Sequence, residues 1–200
     1  MTKLVVGYHG TLLSSANALA MRKFDPGRES RLPRWLGNGL YFFEDNAQLA
    51  AFYAFQRQTK HQAPGAVLKA RIRLGSCLDL SQDFGQRIAR QAYTVLRKEG
   101  VMDGAASPRQ KPLEIHKGQV RAGYSGEWKD YGVNALDHAV VERAVMVAEE
   151  LHGLRFDTVR GLFLDGGELY DTSWFFDLAH IAIAVRSPYA ALEELEVIPL

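Results

Sequence analysis

Leu36-Gly37-Asn38-Gly39-Leu40-Tyr41-Phe42-Phe43 joins a Gly-x-Gly turn to an aromatic strand. The glycines let backbone pass close to a neighbour or a ligand, and the aromatic run puts ring faces on both sides of the strand. Upstream, Leu4-Val5-Val6 opens the chain as a short apolar strand, and His9 leaves it just before Gly10 and Thr11. Between the two lie a brief helix at 14–21 and a polar loop with Pro26, Gly27 and Pro33.

Downstream of Phe43, Asp45 reads as a helix cap, with Gln48 three positions on to complete a capping box. That helix is expected to run to about Lys60, with Leu49, Ala50, Phe52 and Tyr53 as its apolar face. Residues 67–74 alternate: Leu68, Ala70, Ile72 and Leu74 point one way, Lys69, Arg71 and Arg73 the other, as in a half-buried strand. Residues 84–98 form a second helical pattern closed by Gly100. A third begins at the cap Asn134 and carries Leu136, Val140, Ala144, Val147 and Leu151 on one face before Gly153. Residues 159–164, 180–185 and 195–198 read as strands. Strand-rich ends around helices predict one α+β domain over 1–200, with a split or bent mixed or antiparallel sheet. The aperiodic stretch at about 101–133 is read as a loop-rich insertion.

A length of 200 residues with 47% hydrophobic and 24% charged content suits one ordinary globular domain. The formal net charge of +1 supplies no electrostatic footprint for nucleic acid or for a membrane surface. The single cysteine, Cys77, cannot form an internal disulfide and reads as a buried structural thiol. No signal-peptide layout or membrane-length apolar run is present, so the expectation is a cytoplasmic protein with no membrane partner.

Chemistry-bearing residues are sparse. His9, beside a glycine, can donate to a sugar hydroxyl, though taken alone it reads first as a satisfied structural histidine. Tyr41 and Tyr53 offer two phenol faces suited to a planar cation. Lys69, Arg71 and Arg73 make a basic row that reads as solvent-facing or as a phosphate contact. Arg160 reads either as a buried ion-pair partner or as a phosphate contact. His61, His116, His138 and His152 lack metal-ligand spacing, and no metal site is expected.

In combination, the His-Gly-Thr, Gly-x-Gly-x-Tyr-Phe and Ala-x-x-Tyr-Ala elements (Ala50 to Ala54) resemble ADP-ribosyltransferases of the poly(ADP-ribose) polymerase and diphtheria-toxin type. Val159-Arg160-Gly161-Leu162-Phe163, the Asp165-Gly166 turn and His180-Ile181-Ala182-Ile183-Ala184-Val185-Arg186 look like small bacterial members. The resemblance implies an ADP-ribosyltransferase-type sheet core, NAD as substrate and no metal. It implies that His9 holds the nicotinamide ribose, that the Gly10 backbone bonds the carboxamide, and that Tyr41 and Tyr53 sandwich the nicotinamide. Thr11 and Gly39 complete the implied NAD-binding set. The chain departs from the family at its third position, a glutamate at the start of the 180–185 strand, where His180 and Ala182 stand instead. His180 and the loop acid Glu168 are the candidate substitutes. The function implied is mono-ADP-ribosylation of a protein or nucleic acid by a toxin or defence effector, with a neutralising antitoxin among the expected partners. NAD hydrolysis, or a silent domain binding NAD, ADP-ribose or a partner, are the alternatives.

Overall fold

Residues 3–24, 34–99 and 135–200 are described by a computed structural model, as is the backbone of 115–116 and 119–120. In chain order the elements are β1 (Leu4–Leu12), α1 (Leu13–Ala20), β2 (Leu40–Glu44), α2 (Ala47–His61), β3 (Gly65–Arg73), β4 (Cys77–Asp79) and α3 (Asp83–Lys98). Then follow β5 (Ile115–His116), β6 (Gln119–Val120), α4 (Ala135–His152), β7 (Thr158–Phe163), β8 (His180–Val185), α5 (Pro188–Ala191) and β9 (Leu192–Pro199). Seven strands form one open mixed sheet in the order β4-β7-β8-β2-β1-β3-β9, and β5 pairs with β6 apart from it. Only β4 and β7 run parallel; the other pairs of the large sheet are antiparallel. The class is α+β.

Alternation along the strands gives the sheet two different faces. On one, Phe42, Leu68, Ile72 and Ile183 pack with Ala16 and Leu19 of α1, and all four sheet residues are buried to within 1% of complete. The other face is covered in two separate patches. Ala50 and Ala54 of α2 lie over Val67. Ile88 and Ala92 of α3, with Val141, Ala144 and Ala148 of α4, lie over Leu78, Val159 and Ala184. Between the patches runs an uncovered strip of β2 and β8. The register puts Phe43 opposite Ala182 and Phe163 opposite His180 along it, with Tyr41 at its edge opposite the covered Ala184.

β1 and β2 part early. They pair only at Gly7 with Glu44 and Tyr8 with Phe43, whereas β1 pairs with β3 over nine residues. Beyond the parting, the His9 ring replaces the missing ladder: its Nδ1 lies 2.7 Å from the Tyr41 carbonyl oxygen. β1 is thus much longer than the expected apolar triplet, because pairing with β3 carries it through His9 to Leu12.

Other expectations shift for local reasons. Asn46, not Asp45, caps α2, its side-chain oxygen accepting from the Leu49 amide at 2.9 Å. Asp45 instead takes a positive φ of 50° and donates its amide to Val6. The buried face of α2 is Leu49, Ala50 and Ala54, while Phe52 and Tyr53 are exposed. Small residues face the sheet because the helix backbone lies directly against Gly10. A Cβ there would sit 2.0 Å from Ala50 O and 2.8 Å from Ala54 N. In α4 the buried stripe is Val141, Ala144, Val145 and Ala148, and Leu151 is exposed. The expected cap Asn134, Gly100, most of 101–133 and the Pro26–Pro33 loop lie outside the described residues.

The cationic residues resolve into ion pairs. Lys69, Arg71 and Arg73 on β3 meet Glu196, Glu194 and Glu193 on β9, which leaves no bare basic row for a phosphate backbone. Arg160 is buried: Nε and Nη2 donate to Glu44 at 2.6 and 3.1 Å, and Nη1 donates to Asp79 at 2.9 Å. The Glu44 hydrogen bonds, above all, hold the Arg160 guanidinium protonated far above its ordinary range. Burial works against ionised Asp79, yet hydrogen bonds from Ser81 and Arg160 outweigh it and keep the carboxyl below its ordinary value. Arg160 therefore ties β7 to β2 and β4 as a structural ion pair. Cys77 is half-buried; burial raises its thiol, against a hydrogen bond with Thr158.

Candidate active site

A cleft of about 280 Å³ opens on the uncovered strip, close to the lower end of small-molecule sites. His9, Gly10, Tyr41, Tyr53 and His180, residues from four elements, line it together. Thr11, Gly39 and Glu168 do not. Thr11 is buried in the β1–β3 ladder opposite Ala66. Gly39 turns its α-carbon to β8, where a Cβ would meet Val185 O at 2.9 Å. It borders a separate cavity of about 390 Å³ behind the turn, lined with Leu19, Phe24, Phe156 and Arg186. That cavity is larger, but it gathers no histidine and none of the rings along the strip, so the smaller cleft is the better chemical site.

The turn before Tyr41 is held from three sides. Gly37 has φ 71°, and the Tyr41 hydroxyl both accepts from Leu36 N–H and donates to Gly37 O, each at 2.8 Å. Glu142 on α4 accepts from the Asn38 amide at 2.8 Å and from both Arg186 terminal nitrogens at 2.5 and 3.1 Å. Arg186 Nη1 also donates to Asn38 O at 3.2 Å. Burial raises the Tyr41 hydroxyl far above the ordinary tyrosine value, outweighing the Leu36 amide. Burial likewise opposes ionisation of Glu142, but the Arg186 and Asn38 bonds win and hold it low. The Tyr41 hydroxyl is thus a brace for the turn, and its ring is what borders the cleft. The Arg34 guanidinium sits 5.1 Å from that ring's centroid.

The walls form a chain of rings. Tyr53 stacks on Phe43 at 5.3 Å and 26°, Phe43 meets the His180 ring edge-on at 5.1 Å, and His180 stacks on Phe163 at 5.4 Å and 18°. Trp35 continues the series against Phe163 at 6.1 Å. Gly10, expected to open space for a ligand, borders the cleft, but its lack of a side chain is demanded by α2 (above).

The two histidines have assigned protons. Each Nδ1 faces a carbonyl, Tyr41 O for His9 and Leu178 O at 2.8 Å for His180, so each must donate there. A neutral His9 then presents Nε2 as an acceptor, where a donor had been expected. Asp165 Oδ2 lies 3.9 Å from His180 Nδ1, and Asp165, not Glu168, is the carboxylate that lines the cleft among the described residues. Arg34 and Arg57 supply cationic charge at the rim. Sequence reasoning passed over Trp35, Arg34 and Arg57, and read Phe43 and Phe163 as strand residues without naming them to the site. The strand alternation that puts Phe43 on the same face as Tyr41 was the signal that could have found Phe43.

Among the described residues no cluster of histidine, cysteine and acidic side chains could hold a metal ion, and no helix is long and apolar enough to cross a membrane. Comparison of the chain with protein-family profiles, with curated proteins and with solved structures found no match.

Proposed function

We propose that this chain is a mono-ADP-ribosyltransferase that takes ADP-ribose from NAD and passes it to a macromolecular acceptor. One observation carries the reading: His9, Tyr41, Tyr53 and His180, far apart in sequence, border a single aromatic cleft. His9, Tyr41 and Tyr53, in that order, are what resemble the poly(ADP-ribose) polymerase and diphtheria-toxin type, and His180 stands where that type carries a glutamate.

The nicotinamide would lie among the Tyr41, Phe43 and Tyr53 rings, whose faces favour a planar cation. His9 Nε2 would accept a hydrogen bond from a hydroxyl of the adjoining ribose, and Arg34 and Arg57 would meet the diphosphate. The bond from ribose C1′ to the nicotinamide nitrogen breaks with its electron pair going to that nitrogen, which leaves as neutral nicotinamide. An acceptor lone pair forms the new bond to C1′ and the acceptor gives up a proton. Asp165 is the carboxylate suited to offset the cationic sugar or to take that proton.

Incubation with labelled NAD and a cell extract tests this. Label on protein or nucleic acid supports transfer, and free ADP-ribose alone would make the chain an NAD hydrolase. Unchanged NAD with saturable binding would make it a silent binding domain, a reading favoured by His180 standing in the carboxylate position. His9→Ala and Tyr41→Ala are each expected to abolish turnover; full activity in both would remove the cleft from consideration. The bond from His9 to Tyr41 O means that His9→Ala also loosens the fold, by about 1–3 kcal/mol.

A further inference from the structure

Behind the 36–39 turn, the cavity of about 390 Å³ reaches into the core at the end of the sheet where β2 starts and β8 stops. Leu19, Leu40 and Val185 on its walls belong to the core layer that holds α1, Val145 and Phe156 to the layer that holds α4, and all five are buried. Protein interiors leave few spaces larger than a water molecule, and apolar walls give water too few hydrogen-bond partners to hold it well. Walls of this kind, around a volume in the range of small-molecule sites, favour an apolar guest. Arg155 and Glu149 are the exposed members of the lining and so mark its mouth. They form an ion pair, Arg155 Nε donating to Glu149 Oε1 at 2.6 Å. Among the described residues, the other two guanidinium nitrogens and the second carboxylate oxygen have no partner, and the Ser187 hydroxyl on the same lining makes no capping bond. Arg186, also on the lining, is committed to Glu142 and to Asn38 O. The mouth therefore offers donors and acceptors side by side with its charges balanced.

We infer that this cavity binds an uncharged small molecule with an apolar body and an amide-like head, and that such a guest steadies the turn carrying Tyr41. An amide accepts from Arg155 through its oxygen and donates to Glu149 through its N–H, so the ion pair stays intact. A carboxylate would be repelled by Glu149 and an ammonium by Arg155, and either would lose hydration on entry. The guest would pack against Asn38 and Gly39, which line the cavity and lead directly into Tyr41 on the NAD cleft. Only this coupling rests on the reading of the cleft as an NAD site; the chemistry of the cavity does not.

Calorimetric titration with octanamide, octanoate and octylamine tests the inference, because the three share one chain length and differ in the head. Octanamide should bind at least about tenfold more tightly than either charged analogue. Arg155→Ala with Glu149→Ala removes two exposed side chains, so it should melt near the wild-type temperature while the preference falls below about threefold. Val145→Phe narrows the cavity from the α4 wall and should weaken octanamide by at least about tenfold. Equal affinity for the three probes, no octanamide binding, or a preference unchanged in the double variant would each overturn the inference. Saturating octanamide should also tighten NAD binding by about fivefold or more. Unchanged NAD affinity would overturn the coupling, and weakened NAD binding would place the amide in the cleft and overturn the cavity assignment. If wild-type protein binds octanamide selectively but never binds NAD, the cleft reading fails and the cavity assignment stands.

Discussion

Tyr41→Phe removes one oxygen and so separates what the ring does from what the hydroxyl does. In the folded chain that oxygen makes two bonds, from Leu36 N–H and to Gly37 O, both at 2.8 Å. A neutral hydrogen bond contributes about 0.5–1.5 kcal/mol net, so losing the pair should cost about 1–3 kcal/mol. For a chain of this length each kcal/mol lowers the Tm by about 2–4 °C, which gives a drop of roughly 2–12 °C. The difference also has a pH signature. Burial raises the folded-state pKa of Tyr41 above its ordinary value near 10.0. The stabilisation is therefore complete below about pH 10 and falls above it, because the unfolded phenol ionises while the buried one stays neutral. The stability gap between wild type and Tyr41→Phe should narrow as pH rises toward about 11. Since the ring remains, NAD affinity should fall by less than about tenfold, or 1.4 kcal/mol. Urea unfolding at neutral and high pH, with calorimetric NAD titration, measures all three. A variant as stable as wild type at neutral pH, or one stable but unable to bind NAD, would refute the assignment of the hydroxyl as a brace.

Arg160→Met should be more damaging, because it strands the buried Glu44 and half-buried Asp79 carboxylates; a loss of about 3–5 kcal/mol is expected by chemical denaturation. Adding Glu44→Gln and Asp79→Asn should restore part of it, and no recovery would contradict a purely electrostatic origin. Gly10→Ala forces α2 off β1, so both stability and NAD binding should fall, the first by about 1–3 kcal/mol. Glu142→Gln should cost about 1–3 kcal/mol at neutral pH. The Glu142 pKa is depressed in the fold, so its contribution is present above the ordinary carboxylate value and is lost as pH falls through the folded one. The gap to Glu142→Gln should therefore close in acid, and a pH-independent gap would exclude the ion pair as its cause.

Local pattern revealed most of the elements, because alternation along residues 67–74 and helical spacing in 84–98 depend on nearest neighbours. What it could not reveal was pairing. Lys69, Arg71 and Arg73 looked available for phosphate until β9 supplied glutamates across the strand, a contact spanning more than a hundred residues of chain. The α2 face was misjudged for the same reason. Hydrophobicity nominated Phe52 and Tyr53, but the closeness of Gly10 admits only alanines against the strand and turns Tyr53 outward to the cleft. Glu168 was the acid nominated from sequence, but the fold of the β7–β8 connection brings Asp165 to the cleft in its place.

The site lies where β1 parts from β2, so loss of activity there has two structural origins. Where β1 leaves β2, the Tyr41 carbonyl would lack a donor, and the His9 ring supplies one while staying 5% exposed. The imidazole therefore completes the sheet with one nitrogen and addresses the cleft with its other edge. Any substitution at His9 disturbs both, so an inactive His9 variant does not by itself distinguish a binding residue from a structural one. Tyr41 differs, because its structural work is done by the hydroxyl and its binding work by the ring. Truncation to phenylalanine and truncation to alanine then act on different functions of one residue. If the two variants lose activity equally, the cleft depends on the shape of the 36–39 turn; if only alanine abolishes it, the aromatic face itself holds the ligand.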